Sequence, residues 1–176
     1  MALQPGERKL QILQTIAEML ESPAGEKVTT AALAGKLEVS EAALYRHFAS
    51  KAQMYEGLIE FIETSVFSVI NQIAEGEDAG LRQVELMVTS LLRFAQKNRG
   101  LTRVLVGDAL VHENARLQLR INQLLDRIES TLKQSLKVAA AQGMLADGHD
   151  CAAHADILVS YVLGRWMRFV KGGFRA

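Results

Sequence analysis

An all-α fold is what this sequence predicts, on three observations. Apolar residues recur at three- and four-residue intervals, with no convincing run of strict alternation. Only two prolines occur, Pro5 and Pro23, so nothing beyond Pro23 forbids helix. Hydrophobic residues make up 49% of the 176 positions, enough for a real core, while a charged share of 23% is normal for a soluble chain. The expected plan is a three-helix head, residues 1–51, on a larger helical body, residues 52–176. The last two helices are amphipathic and long enough to pair with their copies in a second subunit as a four-helix bundle.

Each element follows from local signals. Gly6 to Ser22 reads as a first helix with Leu10, Leu13, Ile16, Ala17 and Leu20 on one face, ended by Ser22-Pro23-Ala24-Gly25. Thr29 to Leu37 and Ser40 to Phe48 read as two short helices around a three-residue turn, with Leu33, Leu37, Val39, Leu44 and Phe48 fixing the angle between them. Ser50-Lys51-Ala52-Gln53 is a capping box that starts a long helix, striped with Met54, Leu58, Phe61, Ile62, Val66, Val69, Ile70 and Ile73, which ends near residues 75–80. A fifth helix, about 81–97, stops at Asn98-Arg99-Gly100, and a short one covers about 101–110. The longest, about 113–142, carries Leu117, Ile121, Leu124, Leu125, Ile128, Leu132 and Leu136, and the last, about 150–170, ends in Gly172-Gly173. On these last two helices Leu124, Ile128, Leu158, Val162, Trp166 and Phe169 hold more apolar surface than a monomer is expected to hide, which marks them as dimer-interface candidates.

The paired short helices form a helix-turn-helix, so double-stranded DNA is the first ligand to consider. Ser40 caps the second of them, and Glu41 puts an anion at its positive end. Ala42, Ala43, Tyr45, Arg46 and His47 are left outward: the short side chains allow close approach to a groove floor, and the longer ones reach bases or phosphates. Thr29 and Thr30 open the preceding helix, whose N-terminal amides suit a phosphate as well as a plain cap. Lys51 sits in the first turn of the long helix, where the dipole disfavours a free cation, and a phosphate contact would explain it.

Charge limits how such a head works. The chain has a formal net charge of zero, and residues 1–51 hold six cations (Arg8, Lys9, Lys27, Lys36, Arg46, Lys51) against six glutamates. Binding by bulk counterion release is therefore excluded, and affinity must come from a few aimed donors doubled by a two-fold dimer. No apolar run spans a membrane and the opening MALQPGERK has no signal-peptide stretch. The single Cys151 makes no internal disulfide, which fits a reducing cytoplasm. No nucleotide loop, nucleophile elbow or paired-carboxylate constellation occurs, so no enzyme activity and no cofactor are expected. His149, Asp150, Cys151 and His154 invite a metal reading, but a helix start with polar caps explains them better. Asp108 and His112 read as a surface pair at helical spacing.

A second region stands out. Between Lys51 and Arg82 there is no Lys or Arg, while Glu56, Glu60, Glu63, Glu75, Glu77 and Asp78 occur. Either this is a solvated acidic face, or it is an acidic and apolar groove with Phe61 at its edge that receives a short peptide.

The run Leu44-Tyr45-Arg46-His47-Phe48-Ala49-Ser50-Lys51, after a Thr-initiated helix and the Val39-Ser40 turn, resembles the DNA-binding head of the TetR-type regulators. From about residue 10 to 142 the likeness is narrower: GLTRVLVGDAL and RLQLRINQLLDRIE, outside the head, are similar to the nucleoid occlusion factors of that superfamily. The resemblance implies a nucleoid-associated homodimer on palindromic DNA that antagonises the division ring. It also implies that the groove between the fourth and fifth helices takes the C-terminal tail of the division GTPase FtsZ, with Phe61, Lys97 and Asn98 as the matching positions. The chain departs from the family pattern at Glu38, where a turn glycine is usual, at Val69 (an Arg), and at Ser90 and Arg93 (a Leu and a Gly). Two other readings remain open at this level: a ligand-responsive TetR-type repressor with a closed apolar cavity, and a helical adaptor whose head no longer binds DNA.

Overall fold

The computed structural model describes residues 4–175, and among them every regular element is helical. The order is α1 (Pro5–Leu20), α2 (Thr30–Leu37), α3 (Glu41–Tyr45), α4 (Lys51–Gly76), α5 (Gly80–Lys97), α6 (Arg99–Leu105), a short 3-10 turn (Asp108–Leu110), α7 (Ala115–Ala141) and α8 (Cys151–Lys171). Helices α1 to α3 form the head. Helices α5, α7 and α8 pack on one another, with α4 running from the head along α5 and α7.

Helix starts are set by side-chain caps. Thr29, Ser40, Ser50, Asn114 and Asp150 each accept a backbone N–H from the first turn that follows. Asp150 is the N-cap of α8, the polar-capped helix start expected there, and accepts from the Ala153 amide at 3.0 Å. Helix α2 ends in a Schellman closure: Val39 N–H reaches the Ala34 carbonyl, Glu38 N–H reaches that of Gly35, and Glu38 adopts the left-handed conformation at φ 54°. The glutamate does occupy a glycine-type backbone position.

The core corrects several faces drawn from periodicity. On α1 the buried stripe is Ile12, Ile16 and Leu20, and Leu10 is exposed. On α4, Phe61 and Val69 leave the stripe for the surface, and Tyr55, Ile59 and Phe67 are buried in their place. Leu124, Ile128, Val162 and Trp166 are core residues of the single subunit, each at most 3% exposed, so they do not form a dimer surface. Trp166 also donates its indole N–H to the Leu91 carbonyl at 3.1 Å, which anchors α8 to α5. Leu158 and Phe169 are half-buried against the same core. One subunit therefore hides more apolar surface than its sequence suggested, because α7, α5 and α6 cover the inner side of α8.

Two glycines allow backbone-to-backbone packing. A Cβ on Gly80 would lie 2.4 Å from the Ala139 nitrogen, so α5 meets α7 directly. A Cβ on Gly100 would lie 2.0 Å from the Ala17 carbonyl oxygen, so α6 presses straight onto α1. Head and body are joined at this second contact as well as through α4.

Candidate nucleic-acid interface and partner groove

The residues predicted to face DNA gather on the head. Thr29 Oγ1 accepts from the Ala32 amide at 3.1 Å, and Ser40 Oγ from the Ala43 amide at 3.2 Å. Thr30 Oγ1 donates to Glu41 Oε2 at 2.8 Å, a bond that clamps the first turn of α2 to the first turn of α3. Thr29, Ser40 and Ala42 are exposed, and Ala43 is half-buried. The recognition helix is only five residues long, so Arg46 and His47 lie in the turn after it rather than on it. Tyr45 is 44% exposed and Arg46 is open to solvent, while His47 is half-buried.

Lys51, expected to meet a phosphate, already has a carboxylate partner within the subunit. Its Nζ lies 2.7 Å from Glu113 Oε1, and both side chains are largely covered. The ammonium also sits 5.8 Å from the centre of the Tyr55 ring. Burial, together with repulsion from Glu113, pushes the Tyr55 phenol up to about 12, so it is neutral under all physiological conditions. A partner 62 residues away has no local sequence signal, and Glu113 was missed for that reason.

The acidic face of α4 is partly neutralised from α7. Arg120 forks onto Glu63 at 2.9 and 3.0 Å, and Arg116 approaches Glu56 at 3.5 Å. Glu60 stays exposed. Phe61, 48% exposed, begins a ridge continued at four-residue spacing by Ser65 and Val69. Between this ridge and α5 is a shallow depression of about 30 Å³, lined by Ser65, Val66, Val69, Ile70, Ser90, Leu91 and Phe94. Two of the departures, Val69 and Ser90, are therefore part of its lining, whereas Arg93 points to solvent elsewhere on α5. Lys97 is exposed in the last turn of α5. Asn98 joins α5 to α6; its side-chain amide donates to the Phe94 carbonyl at 2.9 Å and its own carbonyl accepts from Thr102 Oγ1 at 2.8 Å.

A third cluster had no sequence forecast. Arg103, 5% exposed, donates through Nη1 to the Leu20 carbonyl at 3.1 Å and through Nε to Asp108 at 2.9 Å. Lys171 takes the other Asp108 oxygen at 2.9 Å. The lysine first and the arginine second hold the Asp108 carboxyl below its ordinary value, against partial burial. Asp108 thus faces Arg103 and Lys171, not His112. The apolar surface left on α8 is Ile157 at 64%, Tyr161 at 52% and Met167 at 36% exposure, with Gly164 exposed between them. A helical wheel drawn opposite Trp166 finds this face from sequence.

A helix-turn-helix head locked to a helical body defines a bacterial regulator of the TetR type. Residues 12–58 match the family of bacterial regulatory proteins, tetR family, and residues 78–176 match the SlmA-like form of the tetracyclin repressor-like C-terminal domain. The chain is 46% identical over 175 residues to the nucleoid occlusion factor SlmA of Marinomonas sp. strain MWYL1, covering 99% of this chain and 89% of that one. It is 50% identical over 169 residues to SlmA of Aliivibrio fischeri strain MJ11, covering 96% and 86%, and 49% identical over 173 residues to SlmA of Vibrio cholerae, covering 96% and 86%. Among solved structures, the TetR family regulator PfmR of Thermus thermophilus superposes with a TM-score of 0.76 at 22% identity over 90% of this chain and 85% of that one, a likeness of fold. The chain belongs to the SlmA family of nucleoid occlusion factors.

Proposed function

We propose that the protein is a DNA-bound antagonist of cell division. Two copies would place their recognition helices in successive major grooves, about 34–36 Å apart, on a pseudo-palindrome. The DNA-bound dimer would then hold the C-terminal tail of FtsZ in the α4–α5 groove and prevent ring assembly over the nucleoid. The observation that carries this reading is the exposure of Phe61, 48% open on a helix whose other large apolar groups are mostly buried. An aromatic ring left in water beside an apolar depression is a ready anchor for a peptide.

Thr29, Thr30, Ser40, Ala42, Ala43, Tyr45, Arg46, His47 and Lys51 form the proposed DNA side, and Phe61, Lys97 and Asn98 the tail side. Asn98 would act by shaping the α5–α6 joint, since its amide is turned back onto α5. Dimerisation is assigned to the outward face of α8, where Ile157, Tyr161, Gly164 and Met167 share one side of the helix. The test is co-sedimentation with FtsZ polymers, with and without a cognate duplex. DNA-dependent loss of polymer, abolished by Phe61→Ala while gel-shift affinity is kept, is the expected result. Polymer loss by Phe61→Ala protein equal to the parent's would refute the assignment.

A further inference from the structure

The charges of this net-neutral chain are strongly segregated. Residues 86–107 and 157–175 contain no Asp or Glu, yet they hold eight Lys or Arg side chains. These stretches build the α5, α6 and α8 flank of the body, whose helices touch one another. Arg103 and Lys171 are neutralised by Asp108. Where α5 meets α8, a cleft of about 230 Å³ opens to solvent, walled by Arg165, Arg168 and Arg175 and floored by Leu92, Trp166 and Phe169. Among the described residues, none of these three arginines has an ion pair.

Attraction of cations to the C-terminal end of α8 accounts for Arg168, but not for three arginines lining one cleft with an apolar floor. Like charges gathered without a counter-ion cost free energy that an anionic occupant returns. We propose that this cleft docks an acidic peptide segment carrying one aromatic or large aliphatic side chain. The side chain would lie on the Leu92 and Phe169 floor, and flanking carboxylates would take bidentate bonds from the arginines. Duplex nucleic acid fits less well, since its bases are stacked inside and its phosphodiester backbone has no apolar group for that floor. The cleft is separate from the α4–α5 groove: Ser90, Leu91 and Phe94 line the one, and Leu92, Ala95 and Gln96 the other.

Trp166 is the single tryptophan and lines the cleft, so it reports occupancy. The full chain is titrated with a glutamate-rich peptide bearing one central phenylalanine, followed by Trp166 emission and, for a fluorescein-labelled copy, by anisotropy. Saturable binding with a change in emission is expected. Arg165→Glu combined with Arg168→Glu, two positions exposed in the single chain that adjoin the α8 face assigned to the dimer, should keep the parent's circular dichroism and its mass by light scattering, and should weaken binding by at least about tenfold as two attractive contacts become repulsive. Arg165→Glu alone should weaken it less, and Phe61→Ala should leave it unchanged. The proposal fails if no saturable binding occurs, if the folded double variant binds as the parent does, if an alanine-for-phenylalanine peptide binds equally well, or if random-sequence duplex displaces the peptide by occupying the cleft.

Discussion

The guanidinium of Arg103 closes the end of α1 from across the molecule, its Nη1 donating to the Leu20 carbonyl at 3.1 Å over a separation of 83 residues. Helix α1 has no cation in its own last turn, so the body supplies the cap that the head lacks. The same side chain is pinned by Asp108, which is pinned by Lys171 at the end of α8. Arg103→Met should leave a buried carbonyl unsatisfied and cost about 1–3 kcal/mol. Urea unfolding measures the loss, and an unchanged midpoint would show that the bond contributes nothing.

Gly100→Ala should be at least as damaging, by about 1–3 kcal/mol or more, because its Cβ would overlap backbone atoms of α1 that have no room to move. Limited proteolysis should then cut faster in the α1–α2 connection, where the head would separate from α6. A variant with the parent's cleavage rate would mean that α6 shifts to accommodate the methyl.

Glu113 holds Lys51 at 2.7 Å, within reach of the proposed DNA side but already partnered. Glu113→Gln removes the competing carboxylate and should tighten operator binding, steepening the dependence of log affinity on log salt by about one. Lys51→Ala should move both quantities the other way. Equal slopes in all three proteins would remove Lys51 from the DNA surface.

Glu38 occupies a left-handed backbone position at φ 54°. Glu38→Gly should stabilise the head by about 1 kcal/mol, visible as a rise in Tm, and should also strengthen DNA binding by deleting a negative charge beside the motif. A lower Tm would mean that the added freedom of glycine in the unfolded chain outweighs the relief of strain.

Asp108 makes stability depend on acid. Its carboxyl is lowered from 3.8 in the folded protein, by Lys171 first and Arg103 second. A depressed carboxyl contributes stability that is fully present above its unfolded value and is lost as pH falls through the folded one. Asp108→Asn should therefore be less stable at neutral pH and lose less on acidification below pH 4 or so. Parallel curves of urea midpoint against pH for the two proteins would contradict this.

The sequence by itself determined what is local. Thr29, Ser40, Ser50 and Asp150 start helices because a side-chain oxygen reaches an amide only two or three residues on. The turn at Glu38, the all-α class and the head were legible for the same reason, and the resemblance of the motifs led to the family. Tertiary structure decided which way the apolar residues of each helix face. Periodicity shows that α4 and α8 have an apolar side, but only the placement of α5, α6 and α7 determines that Trp166 and Val162 are buried while Phe61, Ile157 and Tyr161 are not. It also decided the pairings Lys51–Glu113, Arg120–Glu63 and Arg103–Asp108–Lys171. Most of those partners lie tens of residues apart, and ion pairs have no sequence period, so they exist only once packing has brought the helices together.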